Sequence, residues 1–477
     1  MTTRITVIGG GPGGYVAALK AALLGAEVTL IEKENLGGTC LNWGCIPSKI
    51  MKHSSELLLK FQNAKNYGLS FEGSMNLDMA ALMKHKEEVL ATQRKGIESL
   101  LMNRGVAIER GRGYIKDKGR VEVRLNEGGV KEVEFDRLIL AVGTKPLNME
   151  AFPFDHEKIL SSDDLLSMES VPESITIVGG GVIGCEFAFI LASMGAKVTV
   201  VEAMSRALPL PSVDESCSRI LQREMKKRKI RLILDKVVQS THKGDNGLIL
   251  NLGPSPLSGK DPAKIKGPDT IETEKMAVCI GRTPLSGEIG LENIGLEINE
   301  KGWIDANSKM ETSVESVYAI GDILGPEKIM LAHVASHEGL VAADNAMGGN
   351  EEMKYDAVPG AIFTMPEIGN VGLTESSARE KGIKAERHSV NFRSLGKAQA
   401  IGEITGEASL VTEADTKKIL GVHITGPHAT DLIAEGTLAV NKGLTAYDIA
   451  HTIHAHPTLA EILLEAALKA TGTPLHG

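Results

Sequence analysis

Cys40 and Cys45 are separated by four intervening residues in the run Gly37-Gly38-Thr39-Cys40-Leu41-Asn42-Trp43-Gly44-Cys45-Ile46-Pro47-Ser48-Lys49. Two sulfurs at that spacing can close a disulfide if the intervening loop curls. Pro47 suits the N1 position of a helix continuing through Lys60. Cys45 then falls near the helix N-terminus, where the dipole favours a thiolate and makes that sulfur a good leaving group in exchange. Lys49 can share a helix face with Cys45. The competing uses are two buried thiols or half of a metal site. The other cysteines, Cys185, Cys217 and Cys279, are scattered and read as buried thiols.

A second reactive string is His454-Ala455-His456-Pro457-Thr458-Leu459-Ala460-Glu461. Pro457 biases His456 away from helix, at the mouth of a final helix whose first turn contains Glu461. Thr458 and Glu461 also spell a capping box, a purely structural use of the acid. His451, His454 and His456 cluster, and His333 and His337 stand one helical turn apart. Neither set has the carboxylate or Cys pattern of a metal site, so no metal is expected.

The elements that must position these groups come from an internal repeat. The first copy is a β-branched run from Ile5, the turn Gly9-Gly10-Gly11-Pro12-Gly13-Gly14, a helix-like stretch and a second strand ending in Glu32. The second has Gly179-Gly180-Gly181-Val182-Ile183-Gly184 and ends in Glu202, with the same offset from first glycine to acid. Strand, G-x-G-x-x-G, helix and terminal acid together form a dinucleotide-binding unit. Gly9, Gly11 and Gly14, like Gly179, Gly181 and Gly184, allow the tight turn and backbone approach to a pyrophosphate at the helix N-terminus. Glu32 and Glu202 can accept from a ribose hydroxyl. Glu202 would repel a 2′-phosphate, which favours NAD over NADP, although Arg206 stands nearby. Two such units imply FAD and a nicotinamide cofactor on one chain.

The 477 residues carry a net charge of −9, which argues against a nucleic-acid surface. The basic run 226–229 reads as a helix C-terminus. Five cysteines exclude a stapled secreted fold. The apolar stretch 182–201 is interrupted by Glu186 and Lys197, so no membrane span is expected. The chain enters its first strand without a signal-like segment, so a cytoplasmic location is expected.

The cysteine segment, both fingerprints and Tyr318-Ala319-Ile320-Gly321-Asp322 resemble the pyridine nucleotide-disulfide oxidoreductases. The stretches around Glu186, Met330-Leu331-Ala332-His333, Gly426-Pro427-His428-Ala429 and the His-Pro string are most similar to that family's dihydrolipoamide dehydrogenases. The resemblance spans the whole chain in motif order, with small departures at Trp43, Cys185 and Ala460. It implies an α/β protein with two Rossmann-like domains, for FAD and NAD, and an α+β C-terminal dimerisation domain. The expected limits are 1–148 for the FAD domain, 149–276 for the NAD domain, 277–348 for a region completing the first, and 349–477 for the interface.

The resemblance further implies a homodimer in which His456 is a general base, oriented by Glu461, acting on the other subunit's Cys40–Cys45 disulfide. Asp322, Gly113, Thr144, Met330, Leu331, Ala332 and His333 match FAD contacts. Lys49 and Glu186 match an ion pair beside the flavin, and Val237 and Gly281 match NAD contacts. The implied activity is oxidation of dihydrolipoamide with NAD+. The implied partners are lipoyl-domain proteins of 2-oxo acid dehydrogenase complexes or the glycine cleavage system. A glutathione-type reductase would want a positive residue in place of Glu202, and a mercuric reductase would want C-terminal cysteines, which residues 469–477 lack. A cofactor-binding sensor without turnover would not need Cys40, Cys45 and His456.

Overall fold

The computed structural model describes residues 2–245 and 247–476. The first unit begins with β1 (Arg4–Ile8), α1 (Pro12–Leu23) and β2 (Glu27–Glu32). The long helices α2 (Cys45–Gln62) and α3 (Met79–Asn103) follow, then β3 (Ala107–Asp117), β4 (Arg120–Leu125), β5 (Val130–Glu134) and β6 (Arg137–Leu140). β1 is flanked in parallel by β2 and β6. Its residues after Arg4 are all buried, as a central parallel strand covered on both faces requires.

After β7 (Thr144–Pro146) the chain crosses to a second unit. Its parallel sheet is built from β8 (Ile159–Ser161), β9 (Ser174–Val178), β10 (Lys197–Val201) and β11 (Arg231–Ile233). Helix α4 (Val182–Ser193) joins β9 to β10, and α5 (Glu215–Lys227) leads into β11. An antiparallel layer of β12 (Lys236–Gly244), β13 (Gly247–Pro254) and β14 (Thr270–Thr273) follows, and β15 (Lys275–Val278) returns beside β9. The chain therefore leaves this sheet after Val278, slightly beyond the expected limit at 276. The basic run closes α5 as expected, with Lys227 and Arg228 paired to Glu224.

β16 (Arg282–Pro284) pairs antiparallel with β7, so two short strands form the neck between the units. β17 (Val317–Ala319) then joins the first sheet beside β6, and α6 (Ala332–Ala346) packs on α1. This contact needs glycine: a Cβ on Gly339 would lie 2.5 Å from the Gly13 carbonyl. β17 thus completes the first unit's sheet as its edge strand.

The last unit is a five-stranded antiparallel sheet of β18 (Gly360–Ile362), β19 (Glu367–Gly372), β20 (Ala385–Asn391), β21 (Glu407–Glu413) and β22 (Ile419–Gly426). Helices α7 (Ala429–Lys442) and α8 (Glu461–Ala470) cover it. Its core is separate, built around Phe392, Leu410, Ile424 and Ile462. Among the described residues no helix is long and apolar enough to cross a membrane.

Candidate active site

Cys40 sits in a short helical turn, Gly38–Asn42, and Cys45 is the first residue of α2. Pro47 therefore occupies the third helical position rather than N1, because the loop folds back early enough for Gly44 to become the cap. The Trp43 N–H donates to the Thr39 carbonyl at 2.8 Å, and Ser48 N–H to the Gly44 carbonyl at 3.2 Å. Asn42, buried in the loop, donates from Nδ2 to the Leu36 and Gly38 carbonyls and accepts from Arg94 at 3.1 Å. A sequence pattern gives no warning of that role, since Asn42 looks like any polar loop residue.

Both sulfurs are free thiols. The Cys45 thiol is drawn down to about 7, chiefly by the hydrogen bond from Cys40; burial opposes this and the Lys49 ammonium assists. The Cys40 thiol moves the other way, raised by sharing its hydrogen with Cys45 and by burial. Cys45 is thus the sulfur able to rest as a thiolate, and Cys40 the one that stays protonated.

Lys49 Nζ lies 2.9 Å from Glu186 Oε2, which brings α2 of the first unit against α4 of the second. Glu186 Oε1 accepts the backbone N–H of Phe363 at 2.9 Å, and Lys49 Nζ stands 4.2 Å from the Phe363 ring centroid. Phe363 belongs to the last unit and went unpredicted; the contact joins residues far apart in the chain.

Both glycine turns fit a dinucleotide. Gly14 and Gly184 are needed by the turns themselves, since a Cβ on either would meet the carbonyl of Gly9 or Gly179 within 2 Å. Gly11 and Gly181 differ. A Cβ on Gly11 would find nothing nearer than Gly38 Cα at 3.8 Å, and one on Gly181 nothing within 4 Å. It would project into the open space where a pyrophosphate must approach. Neither α1 nor α4 has a side-chain cap, which leaves first-turn N–H groups for phosphate oxygens.

Glu32 accepts the Gly10 N–H at 2.6 Å and Glu34 N–H at 2.7 Å; burial raises its carboxyl above the usual range. Glu202 repeats the arrangement, accepting from Gly180 at 2.5 Å and Met204 at 2.8 Å. Each acid is aimed at its own glycine turn. Arg206 is turned away: its guanidinium donates to the Leu210 and Val213 carbonyls and to Ser218 Oγ.

Asp322 accepts from Thr144 Oγ1 at 3.2 Å, and Arg282 Nε lies 3.9 Å from it; burial raises the Asp322 carboxyl. The preceding turn is held by Glu338, whose carboxylate accepts the Gly321 N–H and the Tyr355 hydroxyl, both at 2.7 Å. Met330, Leu331, Ala332 and His333 run into the uncapped N-terminus of α6, and His333 Nε2 is 2.9 Å from the Pro359 carbonyl. Gly113 lies on β3 with Ile8 and Val121 as neighbours. Val237 lies on β12, beyond the second sheet, and Gly281 follows β15.

His456 projects from the last unit with 75 % of its side chain exposed. Glu461 begins α8, so Thr458 is not its cap, and one carboxylate reaches both neighbours: Oε1 meets His456 Nδ1 and Oε2 accepts the Thr458 N–H. His454 is occupied instead, between Glu435 Oε1 at 3.0 Å and the Thr452 carbonyl at 2.9 Å. Ile453 beside it is 97 % exposed, and the same unit exposes Leu438 and Tyr447. Large apolar side chains exposed to this degree suit coverage by another chain.

Two family models account for nearly all of this chain: pyridine nucleotide-disulphide oxidoreductase over residues 3–339 and the dimerisation domain of the same family over 358–467. The chain is 39 % identical over 472 residues to a dihydrolipoyl dehydrogenase of Chlamydia trachomatis, covering 98 % of this chain and 97 % of the relative. It is 36 % identical over 475 residues to that of Geobacillus stearothermophilus, covering 99 % and 97 %. The crystal structure of LpdA from Mycobacterium tuberculosis superposes with a TM-score of 0.89 at 26 % identity, covering 98 % of this chain and 99 % of that one. Similarity over this whole length, on a chain with paired dinucleotide turns and a two-cysteine redox loop, places the protein in the pyridine nucleotide-disulphide oxidoreductase family.

Proposed function

We propose that the protein is a dihydrolipoyl dehydrogenase, with FAD and NAD as cofactors, that oxidises protein-bound dihydrolipoamide to lipoamide. Its full-length similarity to dihydrolipoyl dehydrogenases carries the reading. The cysteine geometry supports it, and Glu202 with Arg206 engaged elsewhere favours NAD over NADP. On this reading the enzyme is a cytoplasmic homodimer serving lipoyl-domain proteins of 2-oxo acid dehydrogenase complexes or the glycine cleavage system.

The first turn would hold FAD through Gly9, Gly11, Gly14 and Glu32, with Asp322, Thr144, Gly113 and residues 330–333 around the rest. The second would hold NAD through Gly179, Gly181, Gly184 and Glu202, with Val237 and Gly281 farther along. The flavin, when bound, supplies the two-electron step that dithiols and nicotinamides cannot make with each other directly.

This chain's residues do the sulfur and proton chemistry. His456 of one subunit takes the proton of a substrate thiol through Nε2, because Nδ1 is committed to Glu461. The substrate thiolate attacks Cys40 Sγ, forming a mixed disulfide as the Cys40–Cys45 bond breaks. Cys45 keeps the electron pair as a thiolate, favoured by the N-terminus of α2 and by Lys49. The second substrate thiol passes its proton to the departing Cys40 sulfur as it attacks the first substrate sulfur, closing lipoamide and releasing Cys40 as a thiol. Two electrons have moved from the substrate dithiol to the cysteine pair.

NAD+-dependent oxidation of dihydrolipoamide should far exceed NADPH-dependent reduction of glutathione disulfide by the same preparation. The opposite ranking would reject the substrate assignment.

A further inference from the structure

Lys52 has no part in the sulfur chemistry, yet it is buried beside it. Only 6 % of the residue is exposed, and its ammonium lies 2.8 Å from Glu367 and 2.7 Å from Glu56. It stands one turn after Lys49 on α2, so both lysines leave the same helix face. Both ammoniums approach one ring: Lys49 Nζ is 4.2 Å from the Phe363 centroid and Lys52 Nζ 5.8 Å. Two lysines therefore flank a single aromatic side chain, Lys49 paired with Glu186 and Lys52 with both Glu367 and Glu56.

The acids are matched in construction. Glu186 commits one oxygen to the Phe363 N–H and offers the other to Lys49. Glu367 commits one oxygen to the backbone N–H and hydroxyl of Thr430, in the first turn of α7, and offers the other to Lys52. A buried carboxylate left without a cation is costly, and the nearest mobile ammonium will move to it. Lys49, with 29 % of its side chain exposed, is free enough to do so.

We infer that Lys52 is a positioning residue for the redox site: by occupying Glu367 it keeps Lys49 on Glu186 and so beside Cys45. The inference rests on the reading of Cys40 and Cys45 as the redox pair. The charged and titratable groups facing Cys45 are Cys40 from the preceding turn, Lys49 on its own helix and Glu186 on α4. With Lys52 gone, Glu367 competes with Glu186 for Lys49, and Glu186 faces the sulfur with its counterion only part of the time. Both changes disfavour the Cys45 thiolate.

The test is the pH dependence of Cys45 alkylation by iodoacetamide in the reduced, FAD-loaded dimer, read on the Cys45 peptide by mass spectrometry. Lys52→Met should raise the midpoint by at least half a pH unit, about a threefold fall in the thiolate-to-thiol ratio. Lys52→Arg should keep the wild-type midpoint. Glu367→Gln should also keep it, because no acid is left to compete for Lys49. The double variant Lys52→Met/Glu367→Gln should return to the wild-type value. If Lys52→Met does not fold, Lys52→Gln removes the charge with a polar side chain and should show the same rise. An unchanged midpoint in the variant that folds, or an equal rise in the double variant, overturns the inference. The readout needs no turnover, so it stays distinct from failure of the substrate assignment.

Discussion

Glu461 holds His456 through one carboxylate oxygen, 2.8 Å from Nδ1, while its other oxygen accepts the Thr458 N–H at 2.9 Å. A carboxylate can only accept, so Nδ1 carries the proton and Nε2 presents its lone pair outward. Burial works against the Glu461 charge, but the Thr458 N–H and His456 outweigh it and hold the carboxyl below its usual range. Glu461→Gln retains an acceptor for Thr458 and loses the charge behind the imidazole. Dithiol oxidation should fall about 10- to 100-fold in kcat with little change in thermal midpoint. Full activity with reduced stability would assign Glu461 to the backbone alone.

Cys45 should react as a thiolate near neutrality. With its thiol drawn down to about 7, iodoacetamide labelling of the reduced enzyme should reach half its maximal rate near that pH, well below an ordinary thiol. Cys40, held protonated, should label more slowly at every pH up to that point. Lys49→Met should move the Cys45 midpoint upward, because the ammonium is one of the groups lowering it. Equal labelling of the two sulfurs would contradict this division.

Glu202→Ala should raise KM for NAD+ roughly tenfold or more, the usual cost of a hydrogen bond to a charged group. It should not produce an NADP+ enzyme, because Arg206 is spent on Leu210, Val213 and Ser218. Steady-state kinetics with both nucleotides reads this directly, and efficient NADP+ use by the variant would show that Arg206 swings back.

Glu338 links stability to pH. Burial pushes its carboxyl up to about 6 from an ordinary 4.5. The folded protein therefore holds this proton more tightly than the unfolded chain. The resulting stabilisation is complete below pH 4.5 and is lost as pH rises through about 6. Across that window the wild type should lose on the order of 2 kcal/mol that Glu338→Gln, with nothing to titrate, does not lose. Urea midpoints on either side of the window measure it; parallel behaviour of the two proteins would refute the linkage.

Local chemistry made much of this molecule legible before folding was considered. Each dinucleotide turn is written in one contiguous stretch, because strand, glycines, helix and acid must all touch the same ligand. The cysteine loop and the His-Pro string are equally local, and so were readable as chemistry. α2 starts two residues before the position that proline's preference for N1 predicts, because Gly44 supplies the backbone that lets the helix begin at Cys45. What holds the site together is not local. Glu186 meets Phe363 and Lys52 meets Glu367 only after separate units pack, and Asp322 meets Thr144 only after distant stretches of chain pair within one sheet. Sequence spacing carries no information about such pairs, since burial and ion pairing are settled by whichever surfaces the fold brings into contact. Arg206 shows this most plainly: its position beside Glu202 left two roles open, and three partners along the following loop and helix chose between them.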